Sequence, residues 1–150
     1  IRETKSAVIG LGFMGKVHCE NIRRLPYVKL QAVVEGNEDT LRRYQAMYHT
    51  PEAYTDWRDL LKSKGIDVVH NCTPNSLHYP INKAFAERGT AIISEKPLTV
   101  NLGEERNALI AAQPNSMGMA CARREKYSIY TKIGNLWQKE CQRQQHHPNH

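Results

Sequence analysis

No stretch of this chain is apolar for long enough to cross a bilayer; no run approaches the roughly 18 residues a spanning helix needs. Nor is a secretory leader expected, since Ile1-Arg2-Glu3-Thr4-Lys5 runs straight into a strand-like segment. A cytoplasmic protein without membrane contact is the expectation, and the missing initiator Met points to a processed or excised chain. The four cysteines, Cys19, Cys72, Cys121 and Cys141, are scattered with no C-x-x-C pair, which excludes a dense disulfide framework and favours reduced thiols. Cys72, in an apolar run, reads as a buried small hydrophobe. No internal repeat or low-complexity segment is present.

What remains is a chain of 150 residues, enough for a single sizeable core. Apolar residues make up 40% and charged residues 24%, an ordinary balance for a globular protein. The net charge of +6 is unevenly placed: residues 1–112 carry 15 Lys+Arg against 13 Asp+Glu, residues 113–150 carry 6 against 2. Basic character therefore belongs mainly to the tail, and nucleic acid is not an expected partner of the domain.

Short apolar runs alternate with helical patterns. Ser6–Ile9, Val28–Val34, Ala53-Tyr54, Asp67–Cys72 and Ala91–Ser94 read as strands. Helices are predicted over Met14–Leu25, with Val17, Ile22 and Leu25 apolar at helical spacing and Pro26 closing it, and over Glu38–Tyr48, with Leu41, Tyr44 and Met47 on one face. Further helices follow over Asp56–Ser63, N-capped by Asp56, over Ser76–Arg88, stopped by Gly89, and over Asn101–Ala112. Strands apolar nearly throughout, spaced by amphipathic helices, predict an α/β fold: a doubly wound parallel sheet covered on both faces.

Gly10-Leu11-Gly12-Phe13-Met14-Gly15 matches G-x-G-x-x-G between a strand and a helix. In such a loop Gly10 permits the tight turn, Gly12 lets a pyrophosphate approach the backbone, and Gly15 allows close helix packing, while the helix N-terminus faces the phosphates. Twenty residues beyond Gly15, Glu35 closes the second strand, where a carboxylate accepts hydrogen bonds from ribose hydroxyls. Together these predict a Rossmann nucleotide-binding fold. The carboxylate would repel a 2′-phosphate, so NAD is favoured over NADP; Arg42 and Arg43 could answer a phosphate but read as a solvated helix face. Thr73-Pro74-Asn75 and Glu95-Lys96-Pro97 follow two further strands, so four strand ends converge on one edge.

Gly10-Leu11-Gly12-Phe13-Met14-Gly15-Lys16-Val17-His18, Asn71-Cys72-Thr73-Pro74-Asn75-Ser76-Leu77-His78 and Glu95-Lys96-Pro97-Leu98 resemble, in order and spacing over about residues 5–112, the Gfo/Idh/MocA oxidoreductases. The resemblance implies hydride transfer between nicotinamide and the hydroxyl-bearing carbon of a sugar or polyol. It implies that Thr73, Pro74 and Asn75 line the cofactor near its riboses with His78 close by. Glu95 would lie on the nicotinamide side, and Lys96 would be the catalytic group facing nicotinamide and substrate. It makes Lys96–Pro97 a candidate cis bond. From the residues alone, an ammonium at a strand end could steady a developing alkoxide. His18 and His70 are assigned to packing or surface.

The match also has limits. Family members have a substrate domain that commonly supplies an aspartate and a histidine four residues apart, yet the last aspartate here is Asp67. The expected organisation is a Rossmann domain over residues 1–113, with no substrate domain, and an atypical basic tail over 114–150. In that tail Ser116–Cys121 offers a sixth strand, Ile129, Ile133, Leu136 and Trp137 offer a helix face, and a polar end follows. A truncated fragment or an out-of-frame end is expected behind the tail, in preference to a new functional module. Cys141, His146, His147 and His150 match no standard zinc spacing, and no metal is expected. The rival reading is a non-catalytic nucleotide-binding or regulatory module, since the family includes sugar-response repressors. A homo-oligomer stays open.

Overall fold

Six parallel strands form one sheet in the order β3-β2-β1-β4-β5-β6. The computed structural model describes residues 2–97 and 119–121. In chain order the elements are β1 Thr4–Ile9, α1 Phe13–Arg24, β2 Val28–Val34, α2 Glu38–Tyr48, β3 Glu52–Tyr54, α3 Trp57–Leu60, β4 Val68–Asn71, α4 Asn75–Glu87, β5 Ala91–Ser94 and β6 Met119–Cys121. The doubly wound parallel sheet expected from the alternating pattern is the observed one. The expected helices over Asn101–Ala112 and around Ile129–Trp137 lie outside the described residues.

Alternation along the strands builds two cores, one on each face of the sheet. Ala7, Ile9, Ala32, Val34, Val69 and Ile92 pack against Leu60 of α3 and Ile81, Phe85 and Ala86 of α4. On the other face Val8, Leu30 and Val33 meet Cys19 and Ile22 of α1 and Leu41, Tyr44 and Tyr48 of α2. Fully burying a side chain such as Phe85 or Leu60 contributes about 1.5–3 kcal/mol, so these clusters carry most of the fold's drive. Leu30 and Val33 reach the same face although three residues apart. The reason is a register shift: Ser6 pairs with Leu30 and Ala7 with Ala32, so β2 carries Gln31 as an extra residue.

Three helix expectations need correction. In α1 the inward residues are Gly15, Cys19 and Ile22, while Val17 is 37% and Leu25 54% exposed. In α2 Tyr48 takes the inward position expected of Met47, which is 51% exposed. Both errors follow from reading the face from apolar residues alone; small Gly15 and Cys19 fit where α1 crosses the sheet closely. The helix over Asp56–Ser63 shrinks to Trp57–Leu60, although Asp56 does cap it, accepting from the Arg58 N–H at 2.8 Å. Asp67 stands just outside β4, where its carboxylate accepts from the Lys5 backbone N–H at 2.8 Å and from Arg2 at 2.6 Å. Among the described residues no helix is long and apolar enough to cross a membrane, and no group of three or more His, Cys, Asp or Glu could hold a metal ion.

Candidate dinucleotide site at the carboxyl edge of the sheet

The strand order reverses between β1 and β4, and ligands in open α/β sheets bind at such a switch point, beyond the carboxyl ends of the strands. The chain leaves β1 through Gly10 at φ +87°, where a Cβ would stand 2.7 Å from the Cys72 carbonyl oxygen. That turn brings the loop onto the end of β4. A Cβ on Gly15 would stand 1.8 Å from the Gly10 oxygen, so the first turn of α1 sits directly on the loop. Gly12 differs: a Cβ there would meet no atom within 4 Å. Absence of a side chain at Gly12 is thus not required by the protein's own packing.

The N-terminus of α1 has no side-chain cap and no acidic residue in its first turn. Its free N–H groups and positive dipole end suit an anion. α4 likewise begins uncapped, at Pro74, with no acidic residue in its first turn. α2, by contrast, is capped by Asn37, which accepts from the Thr40 N–H at 2.9 Å, and carries Glu38 and Asp39 in its first turn. Glu35, just past β2, accepts from the Leu11 N–H at 2.9 Å through Oε2 and from the Asn37 N–H at 3.2 Å through Oε1. Arg42 is ion-paired with Glu38 at 2.8 Å, and Arg43 stacks over the Tyr44 ring at 4.9 Å.

Neighbouring residues of β4 point to opposite faces, and each starts a polar network. On the α4 face Asn71, fully buried, donates to Asn82 Oδ1 at 2.8 Å and accepts from the Thr73 hydroxyl at 2.7 Å. Asn82 in turn donates to the Ser94 hydroxyl at 2.9 Å. His78, only 1% exposed, sits between the two loops: Nε2 lies 2.7 Å from the Thr73 carbonyl and Nδ1 2.5 Å from that of Pro97, and a neutral imidazole has one N–H to donate to either. On the α1 face His70 Nδ1 is 2.8 Å from His18 Nδ1, and His18 Nε2 is 3.1 Å from Glu95 Oε1. The two imidazoles meet edge-on, 77° between planes.

Burial, with the neighbouring His18 adding to it, holds His70 down at about 4 against an ordinary 6.5. Between those values the unfolded chain takes a proton that the native ring refuses. Stability is therefore complete above pH 6.5 and falls as pH drops toward 4. At pH 5 the expected loss from this group is about 2 kcal/mol. Denaturant unfolding at pH 7 and pH 5 checks it, and His70→Asn should flatten the difference; equal stability of the native chain at both pH values would contradict it. Burial also pushes the Cys19 and Cys72 thiols up to about 12, so neither is a nucleophile at neutral pH. Cys72, expected to be buried, is partly exposed beneath the loop.

The family described as an oxidoreductase family with an NAD-binding Rossmann fold, GFO_IDH_MocA, matches residues 4–120. The chain belongs to the Gfo/Idh/MocA oxidoreductases. It is 32% identical over 97 residues to the myo-inositol 2-dehydrogenase of Thermotoga maritima, covering 65% of this chain and 29% of that protein. It is 34% identical over 113 residues to the levoglucosan dehydrogenase of Pseudarthrobacter phenanthrenivorans, covering 70% of this chain and 29% of that protein. A solved levoglucosan dehydrogenase in complex with NADH and levoglucosan superposes with a TM-score of 0.75 at 28% identity, over 81% of this chain and 35% of that one. The chain thus spans well under half the length of the Gfo/Idh/MocA proteins it matches.

Within this Gfo/Idh/MocA domain the residues singled out from sequence fall on one edge. Phe13 and Met14 open α1, 80% and 37% exposed, beside the open space at Gly12. Pro74 and Asn75 are exposed at the start of α4, with Thr73 half-buried behind them. Glu95 is half-buried and Lys96 exposed just beyond β5, and the Lys96–Pro97 bond is cis. His78 departs from the expectation: it is buried with both ring nitrogens against backbone carbonyls, behind the loop surface. His18 and His70 depart too, since they form a specific chain to Glu95 in place of plain packing. From sequence Asn71 enters only as part of a motif, without a role, and Asn82 and Ser94 have none. Polarity beside apolar residues does not name a partner.

Proposed function

We propose that this chain is the dinucleotide-binding part of an oxidoreductase acting on a sugar or polyol, with NAD as its cofactor in preference to NADP. The observation that carries the reading is the pairing of an open Gly12 and uncapped α1 with Glu35, whose carboxylate already braces the loop at Leu11. These residues fit a dinucleotide. The α1 end suits the pyrophosphate, and Glu35 retains lone pairs for the adenosine ribose. Exposed Phe13 and Met14 offer apolar surface beside them. Gly10 and Gly15 shape the loop, and Thr73, Pro74 and Asn75 line the second half of the edge, with His78 holding them from behind. Glu95 and Lys96 take the nicotinamide side.

A bound nicotinamide would supply the acceptor or donor of hydride for a hydroxyl-bearing carbon. The chain's own part is to hold that ring and to present Lys96, whose ammonium would hydrogen-bond the substrate oxygen and steady developing negative charge. Preference for NAD follows from charge: Glu35, Glu38 and Asp39 gather where a 2′-phosphate would sit, and Arg42 is engaged by Glu38. We place the dinucleotide unit at residues 1–113 with β6 completing its sheet, and the basic tail behind it. Free Cys19 and Cys72 fit a reducing, cytoplasmic setting.

Calorimetric titration with NADH and NADPH tests this. The chain should bind NADH at least tenfold more tightly, a difference of about 1.4 kcal/mol. Glu35→Ala should weaken NADH by about that factor and narrow the gap to NADPH. A folded chain that binds neither nucleotide would overturn the reading.

A further inference from the structure

We propose that His18 is a positioning residue for Glu95, tying the helix that receives the pyrophosphate to the segment that carries Lys96. This rests on the dinucleotide reading of the edge. His18 lies in the second turn of α1, and Glu95 lies just past β5, 77 residues away in sequence. On the α1 face of the sheet Val8, Cys19, Ile22 and Val33 belong to one apolar cluster. Burying two imidazoles and a carboxylate there is costly unless each is hydrogen-bonded. The observed geometry meets that demand: His70 Nδ1 lies 2.8 Å from His18 Nδ1, and His18 donates through Nε2–H to Glu95 Oε1 at 3.1 Å.

The direction is set at the carboxylate end: a carboxylate only accepts, so His18 Nε2 carries a hydrogen. One further hydrogen lies between the Nδ1 atoms of His18 and His70, 2.8 Å apart. Glu95 is thereby fixed at one oxygen while its side chain stays 13% exposed, still reachable from the carboxyl edge. Its backbone is held as well, the Glu95 N–H donating to the Asn71 carbonyl at 2.9 Å. On the opposite face the His78 ring lies against the Pro97 carbonyl at the other end of the same short segment. Lys96 thus directly follows an anchored neighbour. A glutamate freed from His18 regains rotamer freedom that must be lost again on binding, an effect of up to about tenfold in affinity.

The test is a double-mutant cycle on the full chain, read as NADH affinity, with thermal unfolding of each variant alongside. His18→Ala should weaken NADH about tenfold. Glu95→Ala should weaken it at least as much, and the double variant should bind no worse than Glu95→Ala alone. His18→Gln, whose amide can still donate to Oε1, should recover most of the loss. If His18→Ala does not fold, His18→Asn takes its place in the cycle, since its shorter amide stops short of Glu95. Additive losses in the double variant, or wild-type binding by the first, would overturn the proposal and leave the dinucleotide reading standing. A folded wild-type chain without NADH affinity would overturn both.

Discussion

Gly15→Ala will destabilise the whole domain, whereas Gly12→Val will leave it folded and abolish NADH binding. The two glycines belong to one motif, but the structure gives them different duties. A Cβ on Gly15 would stand 1.8 Å from the Gly10 carbonyl oxygen, a backbone atom that cannot rotate away. Relief requires α1 to lift off the loop, which strips Cys19 and Ile22 from their core on the same face. Overpacking of this kind costs about 1–3 kcal/mol when side chains can adjust and more when backbone must. About 3 kcal/mol, or a fall in Tm on the order of 10 °C, is the expected result. At Gly12 a side chain meets nothing within 4 Å, and the cost is limited to a poorer helix N-cap, at most about 1 kcal/mol. Yet valine there would project into the space the pyrophosphate needs. Thermal unfolding and NADH titration of the two variants separate the roles. Similar stability losses at both positions would mean that the loop is a packing device and nothing more.

Asn71→Ala is the second large effect. Asn71 is fully buried and serves four groups: Asn82 Oδ1 and the His78 carbonyl as donor, the Thr73 N–H and hydroxyl as acceptor. Alanine leaves those partners unpaired, and each stranded buried group costs about 1–3 kcal/mol. Some will find each other, so a net loss of about 3–4 kcal/mol is expected. Thr73→Val, which removes one hydroxyl from the same network, should cost only about 1 kcal/mol. The functional consequence is distinct from the stability loss: the Thr73 loop and the Ser94–Glu95 turn are linked through Asn71 and Asn82, so NADH affinity should fall in Asn71→Ala even at temperatures where the variant is folded. Urea unfolding with parallel NADH titration checks both. A loss under 1 kcal/mol would mean that water enters and replaces the amide.

The local sequence was enough for the sheet and for the loop. Near-continuous apolar runs such as Ser6–Ile9 and Ala91–Ser94 read as strands of a covered sheet, and helices between them favour parallel pairing. G-x-G-x-x-G and an acid twenty residues on are short-range signals, because turn, helix start and second strand follow one another directly along the chain. Which side of a helix faces inward was less legible. At α1 the close crossing selects Gly15 and Cys19 over the more apolar Val17, and the sequence carries no record of interaxial distance.

Only the tertiary structure decided the polar wiring of the edge. His18 meets His70 across 52 positions and Glu95 across 77, contacts that exist because β4 lies between β1 and β5 while α1 crosses above them. Likewise His70 and Asn71 are adjacent in sequence, but the pleat sends one toward α1 and the other toward α4, so each serves a different network. The residue types at the edge were set by the chain; their partners were set by strand order and pleat, because a hydrogen bond depends on where two groups meet in space.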